Sequence, residues 1–89
     1  MKAVITVVGK DTVGILAKIS SFCASHNVNV TDVTQTILQD MFCMIMLTDI
    51  SGMTVSLSEF GDDIKKMGKE MGMDIHVMHE DIFNSMHRI

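Results

Sequence analysis

Apolar residues along this chain of 89 residues follow two different periods in turn, and the order of those periods restricts the fold more than any other feature. Runs of β-branched and apolar residues predict strands, whereas apolar residues spaced three and four apart predict one face of a helix. Strands are predicted at residues 2–8, 28–39, 42–49 and 73–79. Helices are predicted after the first and third strands, which gives the order β-α-β-β-α-β.

The first predicted helix has one apolar face, made of Ile15, Leu16, Ile19, Phe22 and Cys23. A side-chain oxygen of Asp11 or Thr12 is expected to accept a hydrogen bond from a first-turn amide and so cap this helix. His26-Asn27 is expected to end it.

The second predicted helix starts at Thr54 or Ser56, after a break at Ser51-Gly52, and Gly72 is expected to cap its end. Its apolar face is made of Leu57, Phe60, Ile64, Met67 and Met71. The charged residues of this segment lie largely outside that face, as is typical of a helix with one side in water.

The second and third strands are predicted to form a hairpin through a short turn at Asp40-Met41. Val30 and Val33 are both expected in the core, although side chains three residues apart on a regular strand point to opposite faces. A bulge near Thr31-Asp32 would let both point into the core. The strand Phe42–Asp49 is apolar on both faces, as expected for a central strand of a sheet whose two faces are both covered.

The order of elements predicts an α+β fold. Right-handed crossovers place both helices on the same face of one four-stranded antiparallel sheet, which is the ferredoxin-like sandwich. The length predicts one domain over residues 1–89, with residues 80–89 as a tail. The other face of the sheet is then left bare, although the strand Phe42–Asp49 indicates that it does not face water.

Composition points to a cytoplasmic protein that associates with itself. Apolar residues make up 47% of the chain, more than one small core can hide, so a homodimer or larger assembly is expected. The net charge of −4 and the scattered basic residues argue against nucleic acid. No apolar run is long enough to cross a membrane. Cys23 and Cys43 are predicted to be reduced core residues.

Several activities that share this fold are excluded by the sequence. The loop after the first strand, residues 9–12, lacks the two thiols of copper carriers and the arginine of acylphosphatase-like enzymes. The first and third strands lack the aromatic residues on which RNA bases stack. His76 and His79 are three apart on a strand, so they point to opposite faces and cannot share a metal ion. The sequence therefore predicts no enzyme activity, metal or cofactor.

Residues 9–14 form the segment that carries a functional signal. A carboxylate would suit the free amides and partial positive charge at the helix start, and Asp11 could face an ammonium group. Gly9 is expected to let the chain turn out of the strand. Gly14 would cost about 1 kcal/mol in a helix, which predicts that a ligand, or a backbone across a subunit interface, comes too close for a Cβ. Alternatively, Gly9 and Gly14 serve only the turn and helix–strand packing, and Asp11 caps the helix.

Residues 9–16 resemble the G-x-D-x-x-G-ϕ-ϕ loop of ACT domains, in which ϕ is apolar. The next part of that pattern, an Asn before Ile or Val at the start of the second strand, is present as Asn29-Val30, followed by Asp32. The resemblance covers essentially the whole chain and is greatest to small stand-alone ACT proteins, which carry no attached enzyme. It implies an amino-acid effector and regulation through assembly or through contact with a protein partner.

The predicted ligand-binding residues are Gly9, Lys10, Asp11, Thr12, Val13, Gly14, Ile15, Asn29 and Val30. The site is expected near a subunit interface, and its ligand is expected to be a small polar molecule. The alternative is a structural protein–protein interaction module in which the same loop stays empty. Alanine at Gly14 should hold or raise stability if a ligand fills the space there, and should lower it if the space serves packing.

Overall fold

The computed structural model describes residues 1–86. Its elements in chain order are β1 (Lys2–Lys10), α1 (Ile15–Ser25), β2 (Asn29–Leu38), β3 (Met41–Asp49), α2 (Leu57–Glu70), β4 (Met73–His79) and α3 (Glu80–Met86).

The four strands form one sheet in the order β2-β3-β1-β4, and each neighbouring pair is antiparallel. This order results from two crossover units. In β1-α1-β2 the chain crosses over β3, and in β3-α2-β4 it crosses over β1. The ferredoxin-like sandwich predicted from the apolar pattern is therefore confirmed. β2 and β4 are the edge strands.

The core lies between one face of the sheet, called here the inner face, and helices α1 and α2. Alternate residues of β1 and β3 point into it. The buried members of this cluster include Ala3, Ile5, Val7, Ile15, Ile19, Cys23, Phe42, Met44, Met46, Phe60, Ile64, Met73 and Ile75. The apolar faces predicted for the two helices form the other side of this core. Leu16 is the exception, because it is 41% exposed and lies outside the core.

The predicted bulge is confirmed. The register of β2 against β3 shifts between Val30 and Asp32, and Val30 and Val33 both pack against the core as a result. The hairpin turn lies one residue earlier than predicted, at Gln39-Asp40, with Gln39 in the left-handed region at φ 61°. The strand β3 therefore begins at Met41.

The starts of the two helices differ. Ser56 caps α2 as predicted, because its hydroxyl oxygen accepts a 3.1 Å hydrogen bond from the Glu59 amide. The prediction that Asp11 or Thr12 caps α1 is wrong. Gly14 occupies that position, and no side chain caps the helix.

The segment predicted as a tail begins with the short helix α3, and residues 87–89 lie outside the described part of the chain. α3 contacts β1 and β4. Because α1 and α2 occupy the inner face, α3 covers part of the opposite, outer face. Val4 belongs to that outer face and is only 1% exposed. A short helix thus covers part of the face that the sequence left bare.

Candidate ligand site

The loop between β1 and α1 lies at one end of the sheet. The backbone amide of Asp11 donates a 2.9 Å hydrogen bond to the carbonyl oxygen of Asp40, in the β2–β3 turn. Lys10, Asp11 and Thr12 are exposed, and Val13 is fully exposed. The loop is therefore anchored at its backbone while its side chains face outward.

Gly14 is required for its backbone conformation. Its φ is +88°, in the left-handed region that side chains with a Cβ adopt with strain. A Cβ built at Gly14 would meet no atom within 4 Å in a single copy. Contacts within one copy therefore do not require glycine here, and a ligand or a partner backbone beside Gly14 stays a prediction. The positive φ penalises alanine by itself, so the stability of Gly14→Ala does not separate a ligand from packing.

Gly9 does not form a turn, contrary to expectation. It lies inside β1, paired with Phe42 on one side and Met73 on the other. A Cβ there would lie 2.6 Å from the Met73 sulfur and 2.8 Å from the Gly72 carbonyl oxygen. Gly9 therefore permits close packing of β1 against the start of β4.

The N-terminus of α1 is open to an anionic group. No side chain caps it and its first turn contains no acidic residue. α2, by contrast, has both the Ser56 cap and Glu59 in its first turn. The partial positive charge at the start of α1 is therefore not compensated by its own first turn. The side chain of Ile15, which follows Gly14, is buried and fixes this first turn against the core.

The other two predicted residues lie at the opposite end of the sheet. Asn29 is level with Asp49 and Lys2, whereas Lys10 is level with Met41. Eight steps along β1 at about 3.3 Å separate the two ends by about 26 Å. One copy of the chain therefore does not bring Asn29-Val30 together with the loop.

Two hollows lie elsewhere on the surface. A groove of about 400 Å³ runs along α2 and β4, and half-buried Val77 is among its lining residues. Its charged or titratable lining residues are Asp62, Lys65, His76 and His79. A shallower hollow of about 460 Å³ lies beside Phe22 and Met67. Neither is lined by a predicted site residue.

The histidines of residues 1–86 have local partners. His76 Nε2 lies 3.1 Å from Asp74 Oδ1 on the outer face, and His79 Nδ1 lies 3.6 Å from Asp81 Oδ2. The ring of His26 stacks on Phe22 at 4.3 Å, where α1 ends. Within this part of the chain no group of three His, Cys, Asp or Glu side chains is arranged to hold a metal ion. The fourth histidine, His87, lies outside the described residues.

Comparison with known proteins assigns the family, since residues 2–78 match the ACT domain. The chain belongs to the ACT domain family. A UPF0237 protein from Clostridium perfringens is 52% identical over the full length of both chains. This ACT chain thus matches relatives that are small stand-alone proteins.

Solved structures agree with this assignment. An ACT domain protein from Streptococcus pneumoniae is 32% identical, with a TM-score of 0.82 over 93% of both chains. The regulatory subunit of aspartate kinase from Thermus thermophilus shares the fold, with 19% identity and a TM-score of 0.67 over 86% of this chain and 50% of that one. As an ACT domain, the chain is a regulatory ligand-binding module. None of the helices in residues 1–86 is long and apolar enough to cross a membrane.

Proposed function

We propose that this ACT domain is a cytoplasmic, non-catalytic sensor of a free amino acid that works as a homodimer. Its ligand binds between the loop Lys10–Gly14 of one copy and Asn29-Val30 of the partner copy. Binding regulates metabolism by changing assembly or contact with a protein partner. The observation that carries the proposal is the open N-terminus of α1 behind Gly14, which has neither a side-chain cap nor an acid in its first turn.

The open helix start suits the carboxylate of the ligand. Amides of the first turn can donate to a carboxylate, and the partial positive charge there favours an anion. The exposed carboxylate of Asp11 offers a partner for the ammonium group of the same molecule. A zwitterion has both charges, whereas a simple anion would use only one side of this loop.

Pairing of two β2 edges would complete the site. β2 is an edge strand, and α1 contacts β2. If two copies pair through β2 in antiparallel orientation, the start of one β2 lies beside the end of the other. Asn29 of one copy then approaches the end of the sheet that carries the partner's loop. The apolar side chains of Ile37 and Leu38, which are exposed at that end, would be covered in part.

Regulatory ACT relatives support the choice of an amino acid. The aspartate kinase of Thermus thermophilus, whose regulatory subunit shares this fold, is named for an amino-acid substrate. Cys23 and Cys43 are both free thiols, which suits the reducing cytoplasm. The competing hypothesis is a structural interaction module with an empty loop.

Thermal unfolding in the presence of each of the twenty amino acids tests the proposal. A ligand at 100 times its Kd stabilises the fold by about 2.7 kcal/mol, which corresponds to a shift of more than about 10 °C in Tm for a domain of this size. The Asp11→Ala variant should lose that shift, whereas Asp63→Ala, an exposed aspartate on α2, should keep it. Identical Tm values with all twenty amino acids would favour the structural hypothesis.

A further inference from the structure

The groove of about 400 Å³ between α2 and β4, called here the α2–β4 groove, runs along the open edge of the sheet. Its lining includes His76 and Met78, which point to the outer face, and Val77 and His79, which point to the inner face. Side chains from both faces of a strand line one groove only where that groove follows the edge of the strand. Because β4 ends the sheet, every second residue there directs its backbone N–H and C=O groups away from β1, toward the groove.

Gly61 of α2 lines this groove, although no contact within residues 1–86 requires glycine there. At Gly61 the φ angle is not positive, and the atom nearest to a built Cβ is Val77 Cβ at 3.8 Å, an ordinary contact. The other five glycines each have a positive φ or an atom closer than 3.0 Å to a built Cβ; they are Gly9, Gly14, Gly52, Gly68 and Gly72. Alanine is the better helix former, so neither the helix nor its packing explains Gly61. The space beside its Cα is open to an occupant of the groove.

We propose that the α2–β4 groove binds a nucleobase, either as the free base or as its nucleoside. The occupant has to be thin where it passes Gly61, and it has to offer donors and acceptors to the strand edge. A nucleobase meets both conditions, because its flat ring packs against backbone atoms at about 3.5 Å and its rim carries N–H, ring-nitrogen and C=O groups. The volume of the groove lies within the range of about 300–1,000 Å³ that is typical of small-molecule sites.

The polar side chains of the groove suit an uncharged ligand of this kind. Asp62 and Lys65 carry opposite charges, which cancel. Asp62 can accept a hydrogen bond from an N–H of the base or from a ribose hydroxyl, and Lys65 can donate to a ring nitrogen or a carbonyl oxygen. His79 Nδ1 accepts a 3.1 Å hydrogen bond from the Asp81 amide. In the neutral ring the hydrogen therefore lies on Nε2, which makes His79 a further donor to a ligand.

The apolar end of the groove favours a compact ligand over an added strand. A short turn joins α2 to β4, so the two elements run in opposite directions and Leu57, at the start of α2, lies near the end of β4. Ile82 of α3 lines the groove at this same end. A peptide strand, or the β4 of a second copy, would meet the side chain of Ile82 there. The ring of a base would instead pack against Leu57 and Ile82.

Calorimetric titration of the full chain tests this proposal, with adenine, hypoxanthine, cytosine and uracil and with their four nucleosides as the probes. At least one probe should bind, with one site per chain. Comparison of each base with its nucleoside shows whether the ribose contributes, and Asp62→Ala should remove any gain in affinity that the ribose gives. The absence of binding by all eight probes would overturn the inference.

Two glycine variants of α2 separate loss of the site from loss of the fold. Gly61→Ala should raise Tm without ligand, yet weaken binding at least about tenfold, because a methyl group occupies the space that the ring needs. Gly68→Ala, on the same helix but outside the groove, should lower Tm and leave the Kd unchanged. An unchanged Kd in Gly61→Ala would overturn the inference. So would an assembly mass that changes in Gly61→Ala while no probe binds, since a second copy would then fill the groove.

This site is independent of the proposed function, because β4 and the β2 edge proposed for pairing are opposite edges of the sheet. Asp11→Ala should therefore leave the affinity for the base or nucleoside unchanged. A loss of that affinity in Asp11→Ala would place the base at the ligand loop and overturn the inference. A Tm shift by an amino acid that Asp11→Ala removes and Gly61→Ala preserves would support the proposed function, whatever the bases do.

Discussion

The backbone amide of Asp11 donates a hydrogen bond to the carbonyl oxygen of Asp40 at 2.9 Å, which joins the candidate ligand loop to the β2–β3 turn. The bond uses no side chain, so the Asp11 carboxylate stays available to a ligand. It also holds the start of α1 at the end of the sheet where β2 finishes. This is the end that an antiparallel partner would approach with its own Asn29.

Substitution of Gly14 tests why this loop needs glycine. At φ +88°, alanine should cost about 1–2 kcal/mol, which lowers Tm by at least about 4 °C, even though a Cβ has open space. Asparagine tolerates the left-handed region better, so Gly14→Asn should cost less than Gly14→Ala. The measurement is thermal unfolding without ligand. An alanine variant as stable as the unmodified protein would contradict the backbone account.

Two glycines of α2 should respond to alanine with opposite signs. At Gly68 a Cβ would lie 2.7 Å from Ile75 Cδ1 and 3.1 Å from the Met73 carbonyl oxygen, so Gly68→Ala should destabilise by about 1–3 kcal/mol. At Gly61 the nearest atom is Val77 Cβ at 3.8 Å. Gly61→Ala should therefore stabilise by up to about 1 kcal/mol, through helix propensity. Urea unfolding measures the change in the free energy of unfolding for both variants. A change of the same sign in both would argue against close contact of α2 with β4 at Gly68.

The Asp49 carboxylate should contribute a stability that depends on pH. Hydrogen bonds from the hydroxyl and the amide of Ser51 lower the pKa of Asp49, the amide lying 2.9 Å from Oδ1. The contribution is present above the unfolded-state pKa of about 3.9 and is lost as pH falls through the lower folded-state pKa. Ser51→Ala should raise the folded-state pKa part-way, because the amide donor remains.

An NMR titration of the Asp49 carboxyl carbon checks this prediction. Ser58→Ala, an exposed serine on α2, serves as the control and should leave the titration unchanged. If the pKa of Asp49 stays the same in Ser51→Ala, the hydroxyl of Ser51 does not lower it.

The fold was predictable because its signals are long and repeated. Runs of β-branched residues predict the strands and two apolar faces predict the helices, so the order of elements follows. Val30 and Val33 would point to opposite faces of a regular strand, and this conflict predicts the bulge. α3 was missed because seven residues form only two turns, too few to establish a period.

Which residues form the site stays a prediction, and their geometry was only partly predictable from the sequence. Glycine both permits a positive φ and lacks a Cβ, so the sequence cannot tell which property Gly14 supplies. At Gly9 the structure requires the lack of a Cβ, because Met73 and Gly72 lie too close for one. Both are more than sixty residues further along the chain, so the local sequence does not reveal the contact. The separation of Asn29 from the loop follows from topology, because β1 and β2 run in the same direction on either side of β3.

The most direct test of the central claim is complementation between two variants that each lose binding. Asp11→Ala damages the loop half of every site, and Asn29→Ala damages the other half. If each site is shared between copies, a mixed dimer has one intact site, made of the loop from the Asn29 variant and Asn29 from the Asp11 variant. Random mixing then restores about a quarter of all sites.

Calorimetric titration with the amino acid identified by thermal unfolding measures that recovery, after the two variants are unfolded and refolded together. We predict that each variant alone binds at least about tenfold more weakly and that the mixture regains about a quarter of the original sites with the original Kd. A mixture that binds no better than its components would contradict a site shared between two copies.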